Sequence, residues 1–266
     1  MSSSTRVALV NGANKCLGFA IVRDLCRQFP GKLVLMARGE AFGRAATQQL
    51  QTKGPSPLFH QLDITALQSI RALRDFLRKE YRGLVALVNN AAIAFQNKFG
   101  DPTPIAIQAE VTMKTNVLGT RALCTELLPL IKSRGRVVNV SSAWGFKKLR
   151  SETIMEEELV GLMNKFVEDT KNGVHRKEGW PDNNIHEVAK IGIMALSRIQ
   201  ARKLSEQRGG DKILLNACCP GPQSLEEGIE IPVYLALLPS DAEGPHGQFV
   251  HEKKVAKWQF LPEFYP

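Results

Sequence analysis

The sequence predicts an α/β fold built on a doubly wound parallel sheet, and three observations carry that prediction. Short runs of branched apolar residues alternate with stretches of helical spacing. Each apolar run ends in a loop rich in Gly, Asn, Asp or Ser, and the helical stretches between the runs are ten residues or longer. A crossover of that length returns the next strand parallel to the last, and helices then cover both faces of the sheet. With 266 residues the chain can bury one large core, and no segment reads as an interdomain linker, so one domain over 1–266 is expected.

The elements follow in order. RVALV (6–10) is the first strand, NGANKCLG (11–18) a loop, and FAIVRDLCRQF the first helix. KLVLMA (32–37) gives a second strand, with a helix over about 40–52. PLFHQLDI (57–64) is the third strand, closing at Asp63, and SIRALRDFLRKEY (69–81) the third helix. LVALV (84–88) runs into NNAAIAF, and a helical stretch from about 105 to 131 precedes the strand GRVVNVSS (135–142). The second half carries a helix-rich region over 152–170, the breakers of KNGVHRKEGWPDN, and a long helix from about 185 to 207. KILLNACCPG (212–221) is another strand, and GQFV (247–250) a short last one.

Composition excludes several classes. Net charge is +9, but the basic residues of RALRDFLRKEYR, KKLR and SRIQARKLSEQR are scattered and mostly mixed with acids, as on solvated helix faces. Without a clustered patch or a recognisable module, nucleic acid is not an expected partner, whereas the positive balance suits an anionic small ligand. No run approaches eighteen apolar residues, so no membrane partner is expected. The apolar run in MSSSTRVALV is too short for a signal peptide and reads as the first strand. Five cysteines, with Cys218 and Cys219 adjacent, lack metal-ligand spacing and read as reduced thiols of a cytoplasmic protein with no metal.

NGANKCLG stands between strand and helix, where a phosphate-binding loop stands. Gly12 and Gly18 match the outer positions of a GxxxGxG spacing, and Cys16 takes the middle one. Glycine serves there because backbone N–H groups must approach a pyrophosphate without Cβ atoms in the way. Arg38, after the second strand, stands where an acid would bind the ribose of NAD; an arginine instead accommodates a 2′-phosphate and points to NADPH. Lys15 adds a second charge, and Asp63 either meets the adenine amine or caps a helix.

The blocks RDLCRQF, LVNNAAIAF, QAEVTMKTN, GRVVNVSS, LNACCPG and PVYLALLP resemble the short-chain dehydrogenase/reductase superfamily, and closely its monomeric mammalian-type carbonyl reductases, over nearly the whole chain. That resemblance implies a single-domain Rossmann-like fold that uses NADPH to reduce aldehydes, ketones and quinones. It would place Gly12, Asn14, Lys15 and Gly18 along the pyrophosphate and ribose phosphate, Asn90 on the cofactor, and Pro220 with Gly221 beneath the nicotinamide. Phe95, Gln96, Asn97 and Gln108 would line the substrate mouth; Trp144 and Trp180 are aromatic walls or ordinary packing. Two small departures are Asn11 for the threonine of a Thr-Gly pair and Ala92 for the glycine of NNAG.

Carbonyl reduction needs an acid at the carbonyl oxygen and a donor to hold that oxygen as charge develops. The family supplies a Ser, a Tyr and a Lys, with an Asn anchoring a water to the Lys. The resemblance maps three of these onto Asn116, Ser142 and Lys190, but YxxxK has become HxxxK, with His186 in the tyrosine's place. Positions i and i+4 share a helix face, so the two side chains converge. An imidazole is shorter than a phenol, however, and Lys190 opposes its protonation. The segments after VSS and after Pro-Gly are also abridged, with Ser224 the nearest hydroxyl and Leu225 at the expected threonine, which loosens the lid. The expectation is an impaired NADPH-dependent carbonyl reductase; the alternative is a non-catalytic NADPH-binding or interaction protein of the same fold.

Overall fold

The apolar runs become the middle of a sheet. A computed structural model describes residues 5–95, 101–142, 151, 153–181, 184–221 and 224–256. Its strands are β1 (Val7–Val10), β2 (Lys32–Ala37), β3 (Leu58–Gln61), β4 (Leu84–Asn89), β5 (Ile131–Val140), β6 (Leu214–Cys218), β7 (Phe249–His251) and β8 (Lys254–Ala256). They form one eight-stranded sheet in the order β3-β2-β1-β4-β5-β6-β7-β8. Every neighbouring pair is parallel except β7 and β8. The connection reverses direction between β1 and β4, which opens a crevice at the carboxyl ends of those strands.

The helices are α1 (Cys16–Gln28), α2 (Glu40–Gln51), α3 (Leu67–Tyr81), α4 (Ile105–Thr112), α5 (Thr120–Leu127), α6 (Glu156–Lys171), α7 (Ile185–Arg208) and α8 (Leu225–Ala236). Alternation along the strands divides them into two layers. Ala8, Val10, Leu33 and Leu35 join a core with residues of α1, α2 and α8. Val7, Leu9, Val34 and Met36 join another with residues of α3, α5 and α7. Strands buried on both faces read as unbroken apolar runs, which is why KLVLMA and LVALV carry no polar alternation. A third cluster, around Phe166, Trp180 and Ile191, fastens α6 to α7.

A buried chain of amides ties the strand ends together. Asn11 Nδ2 donates to Asn89 Oδ1 at 2.8 Å, Asn89 Nδ2 to Asn139 Oδ1 at 2.7 Å, and Asn139 Nδ2 to the Ser197 hydroxyl at 2.8 Å. Asn11 Oδ1 also accepts from the backbone N–H groups of Asn90 and Ala91. The amide at position 11 donates from Nδ2 and accepts at a separate atom, Oδ1, so it reaches Asn89 and the Asn90–Ala91 backbone at once. The chain runs from β1 through β4 and β5 into α7, the helix that carries His186 and Lys190.

Four expectations are corrected. The helical stretch over 105–131 is not continuous: α4 passes into a π-helical turn, Met113–Gly119, then α5 and a short 3-10 turn, and β5 begins at Ile131 rather than 135. The third strand stops at Gln61, because Asp63 Oδ1 accepts from the Thr65 N–H at 2.8 Å and turns the chain. Residues 225–236 form α8, which had not been assigned as a helix, started by a reciprocal Ser224–Glu227 capping box despite Pro232 within it. The sheet is not purely parallel, since β7 and β8 close a hairpin through Glu252 and Lys253, both at positive φ. Such a turn is announced by Asn-Gly or Asp-Gly; Glu-Lys gives no such signal.

Candidate active site

The carboxyl ends of β4, β5, β6 and β7 and the first turn of α7 surround a cavity of about 600 Å³, lined among others by Asn90, Ser142, His186, Glu187, Lys190 and Pro220. Leu17, in the first turn of α1, closes one wall.

The loop beside that wall is built for close approach. Gly12 has φ +61°, and a Cβ on it would lie 2.6 Å from Ala91 Cα; one on Gly18 would lie 2.5 Å from Asn90 Nδ2. Asn90 Nδ2 holds the loop by donating to the Gly12 carbonyl at 3.0 Å. The N-cap of α1 is Lys15, which makes no side-chain cap, so the first-turn amides of a 13-residue helix are left for a ligand. Lys15 and Arg38 are both exposed, on the loops after β1 and β2. A tight loop, an uncapped helix start and two cations fit a phosphorylated dinucleotide such as NADPH. Asn14 lies in the same loop, half-buried, whereas Asp63 has one carboxylate oxygen in its own turn, where it takes both the N–H and the hydroxyl of Thr65.

Cys16 has φ +47°, a left-handed conformation that glycine adopts freely and cysteine does not. Cys16→Gly is expected to stabilise the chain by about 1 kcal/mol, raising Tm by a few degrees, and to tighten NADPH binding. Thermal melts with and without NADPH check it, and a lower Tm in the ligand-free variant would show that the thiol contributes more than the strain costs.

Around the cavity, Lys190 is 6% exposed and its ammonium donates to the Val140 carbonyl at 2.9 Å. Burial pushes its pKa down to about 8, with Glu187 pulling the other way. The Lys190 carbonyl in turn accepts from the Ser141 hydroxyl at 2.6 Å, which locks α7 to the end of β5. Asn116, fully buried in the π turn, donates to the Ile93 carbonyl and accepts from the Ile93 N–H, both at 2.9 Å. The extra residue of that turn brings Asn116 against the loop after β4, a local irregularity of a kind often found at functional sites.

His186 Nδ1 lies 3.1 Å from the same Ile93 carbonyl. A carbonyl only accepts, so Nδ1 carries the proton and Nε2 of the neutral ring keeps a bare lone pair. Burial, and then Lys190, push the imidazole down to about 4, so the second proton is not taken up near neutrality. Glu187, its neighbour, shares the cavity with Ser142; burial raises its pKa, with the Ser142 hydroxyl and the Lys190 charge pulling the other way.

The structure thus brings Asn90, Ser142, His186, Lys190 and Pro220 to one cavity. Gln108 does not reach it: the side chain is buried in α4, its Nε2 donating to the Thr103 carbonyl at 2.8 Å, and it is absent from the lining. Phe95 is half-buried after β4; Gln96, Asn97 and Trp144 lie outside the described residues. Trp180 is core, packed on Phe166 with ring centroids 5.0 Å apart and donating to Asp169. Ser224 is committed to capping α8. Sequence reasoning missed Glu187 and His251 in the lining. Glu187 reads as an acid favoured by the start of α7, and His251 reaches the site only through a sheet order that places β7 beside β6.

A profile described as short chain dehydrogenase matches residues 6–154. Carbonyl reductase [NADPH] 1 of Sus scrofa is 68% identical over 288 aligned positions, covering 100% of this chain and 99% of the relative. The Homo sapiens protein of that name is 66% identical over 280 positions, covering 97% and 100%. An alignment of 288 positions against 266 residues opens gaps opposite 22 or more positions of the Sus scrofa relative. Among solved structures, salutaridine reductase from Papaver somniferum superposes with a TM-score of 0.80 at 26% identity, covering 92% of this chain and 99% of that one. Menthone neomenthol reductase from Mentha piperita gives 0.76 at 27%, covering 93% and 98%. With the profile spanning more than half of its length and relatives this similar end to end, the chain belongs to the short chain dehydrogenase family.

Proposed function

We propose that the chain binds NADPH and reduces aldehyde, ketone or quinone carbonyls, acting as a single-domain, monomeric, cytoplasmic enzyme. The observation that carries this reading is the meeting of an uncapped helix start, Ser142 and Lys190 on one cavity at the carboxyl side of the sheet. Gly12, Asn14, Lys15 and Gly18 would hold the pyrophosphate, Arg38 the ribose phosphate, and Asn90, Lys190 and Pro220 the nicotinamide end. The relatives named above carry NADPH in their names, which supports the same cofactor here.

NADPH, when bound, supplies a hydride. The chain's own groups hold the substrate oxygen and provide a proton. Ser142 Oγ donates to a carbonyl oxygen and stabilises the charge that gathers there. The Lys190 ammonium adds positive potential at the same place, strengthened by burial. His186 orients the Ile93 loop and offers only a lone pair to the cavity, so it does not act as the acid. Proton supply is the weak point, and a quinone, which needs less acid help, is the expected better substrate. The gaps against longer relatives support an abridged rim, more open to water than theirs.

NADPH titration by tryptophan or cofactor fluorescence, run beside NADPH oxidation with menadione, tests the proposal. Binding with turnover is expected. Binding without turnover would make the chain a nucleotide-binding member that has lost its chemistry, and absence of binding would refute both readings.

A further inference from the structure

The residue beside His186 has what the imidazole lacks. Glu187 lines the cavity together with Ser142 and Lys190, close enough that the Ser142 hydroxyl and the Lys190 charge both act on its carboxyl. One of its oxygens, Oε2, is buried with no hydrogen-bond partner among the described residues. An ionised carboxylate only accepts and needs several donors. Here Ser142 is one, while the ammonium of Lys190 is directed at the Val140 carbonyl. A protonated carboxyl needs fewer donors and presents an O–H that requires an acceptor. A substrate carbonyl oxygen entering the cavity is such an acceptor.

Resting on the proposed reductase function, we propose that Glu187 is the proton donor of this site, delivering its carboxyl proton to the carbonyl oxygen that Ser142 holds. As hydride adds at the carbonyl carbon, the C=O π pair moves to oxygen. The Glu187 O–H bond breaks as an O–H bond forms on that oxygen, giving the alcohol; with a quinone the product is the hydroxydienone, which loses its C–H proton and gains one on the second oxygen to become the hydroquinone. The two electrons gained by the carbonyl are those lost by NADPH, and the Glu187 carboxylate recovers its proton from solvent.

The surroundings suit that cycle. The titratable and polar groups that line the cavity with Glu187 are His186 and Lys190 on its own helix, Ser142 after β5, Cys219 after β6 and His251 at the end of β7. Burial favours the neutral carboxyl, while the Ser142 hydroxyl and the Lys190 charge oppose it and keep deprotonation within reach. His186 stays neutral near pH 7, so it neither repels the carboxyl proton nor competes to supply one. A carboxyl raised by burial is an established general acid near neutral pH.

The test uses the full chain and its Glu187→Gln and Glu187→Asp variants. NADPH binding, read by fluorescence, should change less than about twofold in Glu187→Gln, because the side chain acts on the carbonyl end. Reduction of acetophenone, an unactivated ketone, should fall about 10²- to 10⁴-fold in kcat, with a smaller loss for menadione and partial recovery in Glu187→Asp. The pH profile of kcat should lose its alkaline limb in Glu187→Gln. A second measurement needs no turnover. Unfolding free energy from pH 5 to 9 should fall in the wild type relative to Glu187→Gln as pH rises above the ordinary carboxylate range. The folded state there keeps a proton that the unfolded state has released.

Ketone turnover and a pH profile that survive Glu187→Gln would overturn the proton-donor role and leave the reductase reading standing. A stability difference that titrates at an ordinary carboxylate pKa would overturn it whatever the turnover. NADPH binding with no turnover of any carbonyl by the wild type would remove the reductase reading and proton delivery together.

Discussion

Lys190→Met is expected to raise unfolding free energy at pH 7 by roughly 2 kcal/mol while cutting carbonyl turnover by about 100-fold or more. The gain comes from removing a buried charge. The folded pKa of Lys190, about 8, lies below its ordinary value of 10.5, so the unfolded chain holds the proton more tightly. At pH 7 both states are protonated and the whole penalty is present, roughly 3 kcal/mol at 1.4 kcal/mol per pH unit. Loss of the Val140 hydrogen bond returns about 1 kcal/mol. As pH rises from about 8 to 10.5, the wild type regains stability because its folded lysine gives up the proton first, and the two chains should converge. Urea unfolding at pH 7 and at pH 10 reads both halves of the prediction. A variant less stable than the wild type at pH 7 would mean that the ammonium's contacts outweigh its desolvation.

The fold was legible where burial dictates residue type. After their leading Arg6 and Lys32, RVALV and KLVLMA are unbroken apolar runs like LVALV, because helices cover both faces of β1, β2 and β4. It was illegible where geometry departs from a fixed period. A π turn leaves no mark on 3.6-residue spacing, so Asn116 could be named from resemblance but not placed against Ile93. Pro232 lies inside α8, a helix that the Ser224–Glu227 capping box starts. Glu252 and Lys253 form a hairpin turn in a conformation their side chains disfavour.

The site divides along the same line. Ser142 and Lys190 could be named because both stand in a motif, and both line the cavity. That His186 stays neutral was legible from Lys190 four residues on, but its tautomer was not, because that depends on a carbonyl 93 residues away in sequence that accepts from Nδ1–H. Gln108 was misplaced because a polar residue in an apolar helix reads equally as a site residue or as a local tie, and Thr103 makes it the second. Glu187 went unnoticed because an acid in a first helical turn already has a reason to be there. Only the folded chain shows that it shares a cavity with Ser142, with Oε2 buried.

His186→Tyr is expected to raise ketone reduction by about 10²-fold or more, and to free it from dependence on Glu187. A phenol at this position extends past the imidazole into the cavity, toward Ser142 and Lys190. It loses the bond to the Ile93 carbonyl, but Asn116 Nδ2 still donates there at 2.9 Å, so the loop keeps its anchor and about 1 kcal/mol or less is at stake. Acid stability should improve. The folded imidazole stays neutral down to about pH 4 against 6.5 when free, so the wild type loses stability as pH falls through that window, and a phenol removes the term. The phenol also stays protonated at higher pH than a carboxyl, so the alkaline limb of kcat should move upward. Combining the two substitutions is the sharper measurement. Glu187→Gln should be costly beside His186 and nearly silent beside a tyrosine, because the first background loses its one acid whereas the second keeps the phenol. Equal losses in both backgrounds would mean that Glu187 supports the fold of the site and carries no proton.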